Sequence, residues 1–151
     1  MSGRPPVRAR RTGGFTLPLP PEDTFDLFTA EGERRWVEGW APKMLSDCNA
    51  TKPGAVFLTD HGGEQTIWTV IEADRAAGLL LYSRVSPGRR AGTVKVALEP
   101  EANGTSVCVT YDITALAPAA EDAVRAMDEQ AFAAMMAEWR RLISRALAPA
   151  Q

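Results

Sequence analysis

The chain has 151 residues, 45% of them apolar and 24% charged, with 17 Lys and Arg against 19 Asp and Glu. That length suits one domain with a real core, and so even a balance supplies no field to hold nucleic acid or an anionic membrane. No apolar run reaches the length of a membrane span and none follows the Arg-rich start, so the expected location is cytoplasmic, without membrane insertion.

Residues 1–6, with Gly3, Pro5 and Pro6, are expected to be a flexible end, and 7–148 a single domain. From Val7 the side chains alternate, and a first strand continues through Phe15, Leu17 and Leu19. The Arg residues between Arg4 and Arg11 read as a solvated strand face, since no aromatic residues interleave them for stacking on bases. Pro20-Pro21-Glu22-Asp23 is a helix start, with Pro set for the first turn and acids at the positive end of the dipole. Gly32 and Gly39 bracket a second short helical piece carrying Trp36, with Trp40 four residues on.

From Lys43 to Thr114 the pattern predicts successive strands: a short one at 44–47, then 55–60, 64–72, 79–85, 93–98 and 106–114. Gly62-Gly63, Asp74 to Gly78, Pro87-Gly88 and Asn103-Gly104 turn the chain between them, and strands joined by tight turns make an antiparallel sheet. After Pro118, Ala119 to Leu147 has neither Gly nor Pro and is rich in Ala, Met, Leu, Glu and Arg, which predicts one long helix. Val124, Met127, Ala131, Met135 and Leu142 share its expected apolar face, widened by Phe132, Trp139 and Ile143.

This order is an α+β arrangement: a strand, two short helices, antiparallel strands, then a long C-terminal helix. With FTLPLPPEDTFDLFT, the Trp36–Trp40 region and EQTIWTVIEAD followed by LLLYSRV, the chain resembles the START / Bet v 1-like (SRPBCC) superfamily, its polyketide cyclase/dehydrase and Hsp90-ATPase-activator-homologue branches in particular. The resemblance implies a helix-grip fold, a curved antiparallel sheet wrapped around the C-terminal helix. It also implies a cavity between sheet and helix for a hydrophobic or amphipathic small molecule. Relatives include carriers, cyclase/dehydratase-like enzymes and co-chaperone-like interaction modules, so all three functions stay open; a monomer and a homodimer are both compatible with the chain.

Isolated polar groups that such a cavity would gather are the candidates for chemistry, because no phosphate-binding loop, nucleophile elbow or zinc motif is present. On a continuous helix Asp128 and Glu138 fall within the apolar arc. Each is then either a cavity carboxylate that binds or protonates a ligand, or a structural group at a helix end or in a salt bridge. Tyr82 and Arg84 point the same way in a strand: in one phase they face the cavity, where Arg84 would hold an oxyanion, and in the other Leu79, Leu81 and Val85 are inside. His61, the only His, suits acid–base work near neutrality but sits beside Gly62-Gly63 at an expected hairpin tip. Catalytic candidates are therefore Asp128, His61 and Arg84, and the expected ligand wall adds Trp40, Trp68, Tyr82, Tyr111, Met127, Ala131 and Met135. Cys48 and Cys108 lie far from His61 in sequence and make no metal motif, so neither a metal nor an organic cofactor is expected.

Overall fold

The computed structural model describes residues 5–46 and 51–148. Cys48, Asp47 at the end of the expected short strand, and the first four residues of the expected flexible end lie outside them.

Seven antiparallel strands form one curved sheet in the order β1-β7-β6-β5-β4-β3-β2. These are β1 (Arg8–Leu17), β2 (Lys43–Met44), β3 (Val56–His61), β4 (Glu64–Asp74), β5 (Leu79–Ser86), β6 (Arg90–Glu101) and β7 (Gly104–Ala115). The β3–β4 hairpin turns on Gly62 and Gly63 at φ 59° and 84°, left-handed values that a two-residue hairpin favours and that glycine adopts without strain. At β6–β7 the hairpin is where expected, but its loop is Ala102–Asn103, with Gly104 already paired to Glu101.

Cross-strand pairing decides which side chains share the concave face. Trp68 of β4 is opposite Arg84 of β5, and the next row runs Val70, Tyr82, Val94, Tyr111 from β4 to β7. Tyr82 and Arg84 are thus both inside, and Leu79, Leu81 and Val85 take the other phase. A bulge at Ile71 shifts the β4 register between Val70 and Glu72. The extra residue turns outward, 43% exposed, so that Val70 before it and Ala73 after it can both pack inward.

Helix α1 (Pro21–Asp26) starts with Pro20 as its cap and Pro21 in its first turn, and a 3-10 turn follows at Gly32–Arg35. The C-terminal helix is two helices rather than one: α2 (Pro118–Ala126) and α3 (Glu129–Leu147). Asp128 breaks the run. Its backbone is extended, and its carboxylate accepts from the Ala131 N–H at 2.8 Å, a side-chain N-cap. The Met127 carbonyl at the break accepts from Arg11 Nε at 3.0 Å. The break lets α2 pack Val124 against Ala9 and Ile113 in a small cluster of its own, while α3 turns Phe132, Met136 and Ile143 into the main core. Each of these three is worth about 1.5–3 kcal/mol of burial. Gly13 on β1 makes the approach possible: a Cβ there would stand 3.2 Å from Met136 Cγ and 3.3 Å from the Phe132 ring.

Candidate ligand pocket

At one end of the concave face a pocket of about 430 Å³ lies between the β3–β4 hairpin tip, β5, β7, α3 and the loop after the 3-10 turn. Its aromatic wall is Trp40, Trp68, Tyr111 and Trp139. Trp40 is held by its indole N–H, which donates to the Ala30 carbonyl at 2.7 Å, and it meets Trp68 edge to face at 5.8 Å. Trp68 in turn donates from Nε1 to Thr59 Oγ1 at 2.9 Å. Trp139 of α3 lies edge to face with Tyr111 at 6.1 Å. Rings fixed this way present rigid apolar surface, as small-molecule sites do.

The polar groups are unevenly matched. Arg84 is partly buried, its side chain only 12% exposed, and its Nη2 donates to Ser86 Oγ at 3.2 Å and lies 3.6 Å from Glu64 Oε2. Among the described residues its Nε has no hydrogen-bond partner, and its guanidinium carbon stands 5.4 Å from the Trp68 ring centre. Arg89 Nε and Arg90 Nε donate to the two oxygens of the same Glu64 carboxylate at 3.0 and 2.9 Å. Three guanidinium groups therefore share one carboxylate. Burial, then repulsion from Arg90, pulls the Arg84 pKa down against Tyr111 and Glu64. Burial alone would raise the Glu64 carboxyl, but Ser86, Arg90 and Arg84 together bring it below its ordinary value.

Glu33 is the opposite case. It lines the pocket from the 3-10 turn, its side chain has no ion pair or hydrogen bond among the described residues, and burial raises its carboxyl well above the usual range. Its charge also acts on Tyr111, whose hydroxyl is raised by burial first and Glu33 second, with Arg84 and Arg90 opposing.

Of the residues expected to form a site, Trp40, His61, Trp68, Arg84 and Tyr111 are brought together here, with His61 exposed at the rim. Tyr82 is not on the pocket wall: it is 4% exposed and donates its hydroxyl to the Phe28 carbonyl at 2.7 Å. Met127 and Met135 pack partly buried against the core, and Ala131 is exposed. Asp128 is an exposed helix cap and Glu138 an exposed partner of Arg141 on the outer side of α3. Both readings of a cavity carboxylate depended on an unbroken helix, and the turn at Met127–Asp128 re-phases the face.

Glu33, Val37, Glu64 and Arg90 went unnoticed in the sequence. For Glu33 a signal existed: Glu33, Trp36, Val37 and Trp40 follow the spacing of one helical face, which places an acid on an apolar stripe. Among the described residues no three His, Cys, Asp or Glu side chains gather to hold a metal, and no helix is long and apolar enough to cross a membrane. A second hollow of about 960 Å³ lies between β1 and α3. It is a surface groove bordered by exposed Arg10, Thr12, Thr16, Arg140 and Ser144, and it holds none of the concave-face polar groups.

No family sequence profile matches the chain, and no curated protein does so significantly. Solved structures do. An uncharacterized protein from Rhizobium leguminosarum aligns with TM-score 0.66 at 17% identity, over 93% of this chain and 97% of that one. Norcoclaurine synthase from Thalictrum flavum, in complex with dopamine and hydroxybenzaldehyde, aligns with TM-score 0.64 at 12% identity, over 99% and 97%. Major latex-like protein 151 from Panax ginseng aligns with TM-score 0.66 at 12% identity, over 94% and 99%. The chain has the Bet v 1-like helix-grip fold.

Proposed function

We propose that this protein binds an amphipathic small molecule in the pocket between sheet and α3, its apolar body lying among Trp40, Trp68, Tyr111 and Trp139. The observation that carries the reading is that these four rings converge on a space of about 430 Å³, within the size range of small-ligand sites. The fold neighbour norcoclaurine synthase, described with dopamine and hydroxybenzaldehyde, supports aromatic ligands of modest size. Native mass spectrometry of the purified protein, followed by a thermal-shift panel of aromatic acids, flavonoids and fatty acids, tests it. A ligand at about a hundred times its dissociation constant adds about 2.7 kcal/mol, which for a chain of this length raises Tm by about 5–10 °C. No co-purified molecule and no shift across the panel, together with an unchanged response in a Trp40→Ala variant, would count against the pocket.

A second reading is favoured by one residue. Glu33 is a carboxyl on the pocket wall without a partner among the described residues, and burial raises its pKa well above the ordinary value, an environment that favours the protonated acid and suits it to exchange that proton with a bound molecule. In a cyclase- or dehydratase-like enzyme Glu33 would be the acid–base group and Arg84 would stabilise an oxyanion. Glu33→Gln should then abolish turnover while leaving ligand affinity within about threefold; a variant that still turns over removes Glu33 from that role.

A further inference from the structure

If the pocket binds a ligand as proposed above, the charges on its wall decide what kind of molecule it selects. Arg84, Arg89 and Arg90 converge on Glu64, the one acid whose carboxylate pairs with any of them among the described residues. The other acids of the pocket are placed elsewhere: Glu33 on the 3-10 turn and Asp60 exposed at the hairpin tip, neither in an ion pair with these arginines. The cluster carries two positive charges more than its carboxylate cancels. Arg84 cannot relieve that excess in solvent, because its side chain is only 12% exposed. It is held against Trp68, in the aromatic wall, with Nε lacking any hydrogen-bond partner among the described residues.

A buried cation that is under-compensated is costly unless something else supplies charge. Ser86 and Thr66 offer only neutral oxygens, at 3.2 and 3.5 Å from Arg84 Nη2. Arginine's flat fork is suited to two oxygens of one acid group. The aromatic wall and the cation cluster are contiguous through Trp68 and Arg84, so one molecule can use both.

We propose that the pocket selects an organic anion, an aromatic or alkyl body ending in an acid group, and that the acid group competes with Glu64 for Arg84 and Arg90. Glu64 is then an internal counter-ion that keeps the cluster folded and also lowers affinity for the ligand. This makes an unusual demand on one substitution: removing Glu64 weakens the fold and tightens the ligand.

Anilinonaphthalene sulfonate and phenylnaphthylamine, which share a ring system and differ in the sulfonate, are the probes. Fluorescence titrations of the intact protein at low salt should give at least tenfold tighter binding of the sulfonate. Arg90→Gln, at a partly exposed position, should reduce that preference several-fold. Arg84→Gln should remove most of it if the variant folds. Glu64→Gln should tighten the sulfonate several-fold and leave the neutral probe unchanged. Displacement of the sulfonate by naphthoate but not by equal concentrations of inorganic phosphate would show that the acid group must arrive on an apolar body.

Equal affinities for the two probes that neither Arg90→Gln nor Glu64→Gln changes would overturn the anion inference while leaving the pocket intact. Displacement by inorganic phosphate alone would also overturn it, by moving the anion site outside the aromatic wall. Failure of both probes to bind would remove the pocket reading, and the inference with it.

Discussion

Tyr82 and Tyr111 stand in one cross-strand row, on β5 and β7 with Val94 between them, and both face the concave side of the sheet. They serve different interiors. Tyr82 is buried between Phe57 and Trp68, each met edge to face, and its hydroxyl is closed off by the Phe28 carbonyl at 2.7 Å. Tyr111 packs its ring on Phe132 and Trp139, and its hydroxyl has no hydrogen-bond partner among the described residues. The first belongs to a sealed half of the interior, where Phe25, Phe28, Leu80 and Val107 are each at most 2% exposed. The second belongs to a half that leaves Arg84 Nε, Glu33 and its own hydroxyl unmatched among the described residues. One sheet face therefore carries both a sealed core and the candidate site. A polar group answered by backbone reads as structural, and one answered by nothing, or by too many like charges, reads as held for a ligand.

The largest difference should appear when apolar volume is removed from each half. Leu80→Ala, at a 1% exposed position, should cost about 2–5 kcal/mol in chemical denaturation, transfer and cavity terms together. Val37→Ala, on the pocket wall and only partly buried, should cost less than about 1 kcal/mol. Equal losses would mean that the two halves are packed alike.

Charge should come next. Glu64→Gln leaves Arg84 without its carboxylate, and should cost about 1–3 kcal/mol; this is below the figure for a fully buried pair, because Arg89 is more than half exposed and water screens it. The sign with pH follows from the lowered Glu64 pKa. Its contribution is fully present above the ordinary carboxyl range and is lost as pH falls through the lower folded value. The gap between wild type and Glu64→Gln should therefore be widest near neutrality and close in acid, read as Tm against pH.

The tyrosines test the comparison directly. Tyr82→Phe leaves the Phe28 carbonyl unanswered in a buried site, and should cost about 1–2 kcal/mol. Tyr111→Phe breaks no hydrogen bond among the described residues and should change stability by less than about 0.5 kcal/mol, while altering affinity for any bound ligand. A large loss in Tyr111→Phe would show that its hydroxyl is structural after all.

Most of the fold was readable because its signals are local. Alternation, Gly62-Gly63, Pro20-Pro21 and the Gly-free C-terminal run each place an element within a few residues of where it lies. What failed to show was phase. Nothing short-range announces that Asp128 leaves the helix to cap the next one, because Asp is acceptable in either setting and the curved sheet decides where the helix must bend. The same holds for Arg84, whose inward phase is fixed by pairing with Trp68 across β4. Glu64 and Arg90 were invisible as a pair, since 26 residues separate them and only the β4–β5–β6 order joins them. Glu33 is a different kind of miss, because its spacing to Trp36, Val37 and Trp40 was present to be read.

Glu33 gives a small but diagnostic expected effect, because its sign is the reverse of the others. Its carboxyl is raised well above the ordinary value of 4.5 by burial, the reverse of Glu64. Below that value folded and unfolded chains both hold the proton, so the residue costs nothing. As pH rises, the unfolded chain releases its proton first, and stability is lost until the folded value is passed. Gln at this position resembles the protonated acid at every pH. Glu33→Gln should match wild type near pH 4 and exceed it near pH 8, where a difference of about 1 kcal/mol moves Tm by about 2–4 °C. The two glutamates of one pocket thus predict opposite pH signatures: replacing Glu64 hurts most, and replacing Glu33 helps most, at the alkaline end. A Glu33→Gln variant that is less stable than wild type at pH 8 would mean that the carboxylate is paired in solution, and the acid–base reading of the pocket would lose its proton carrier.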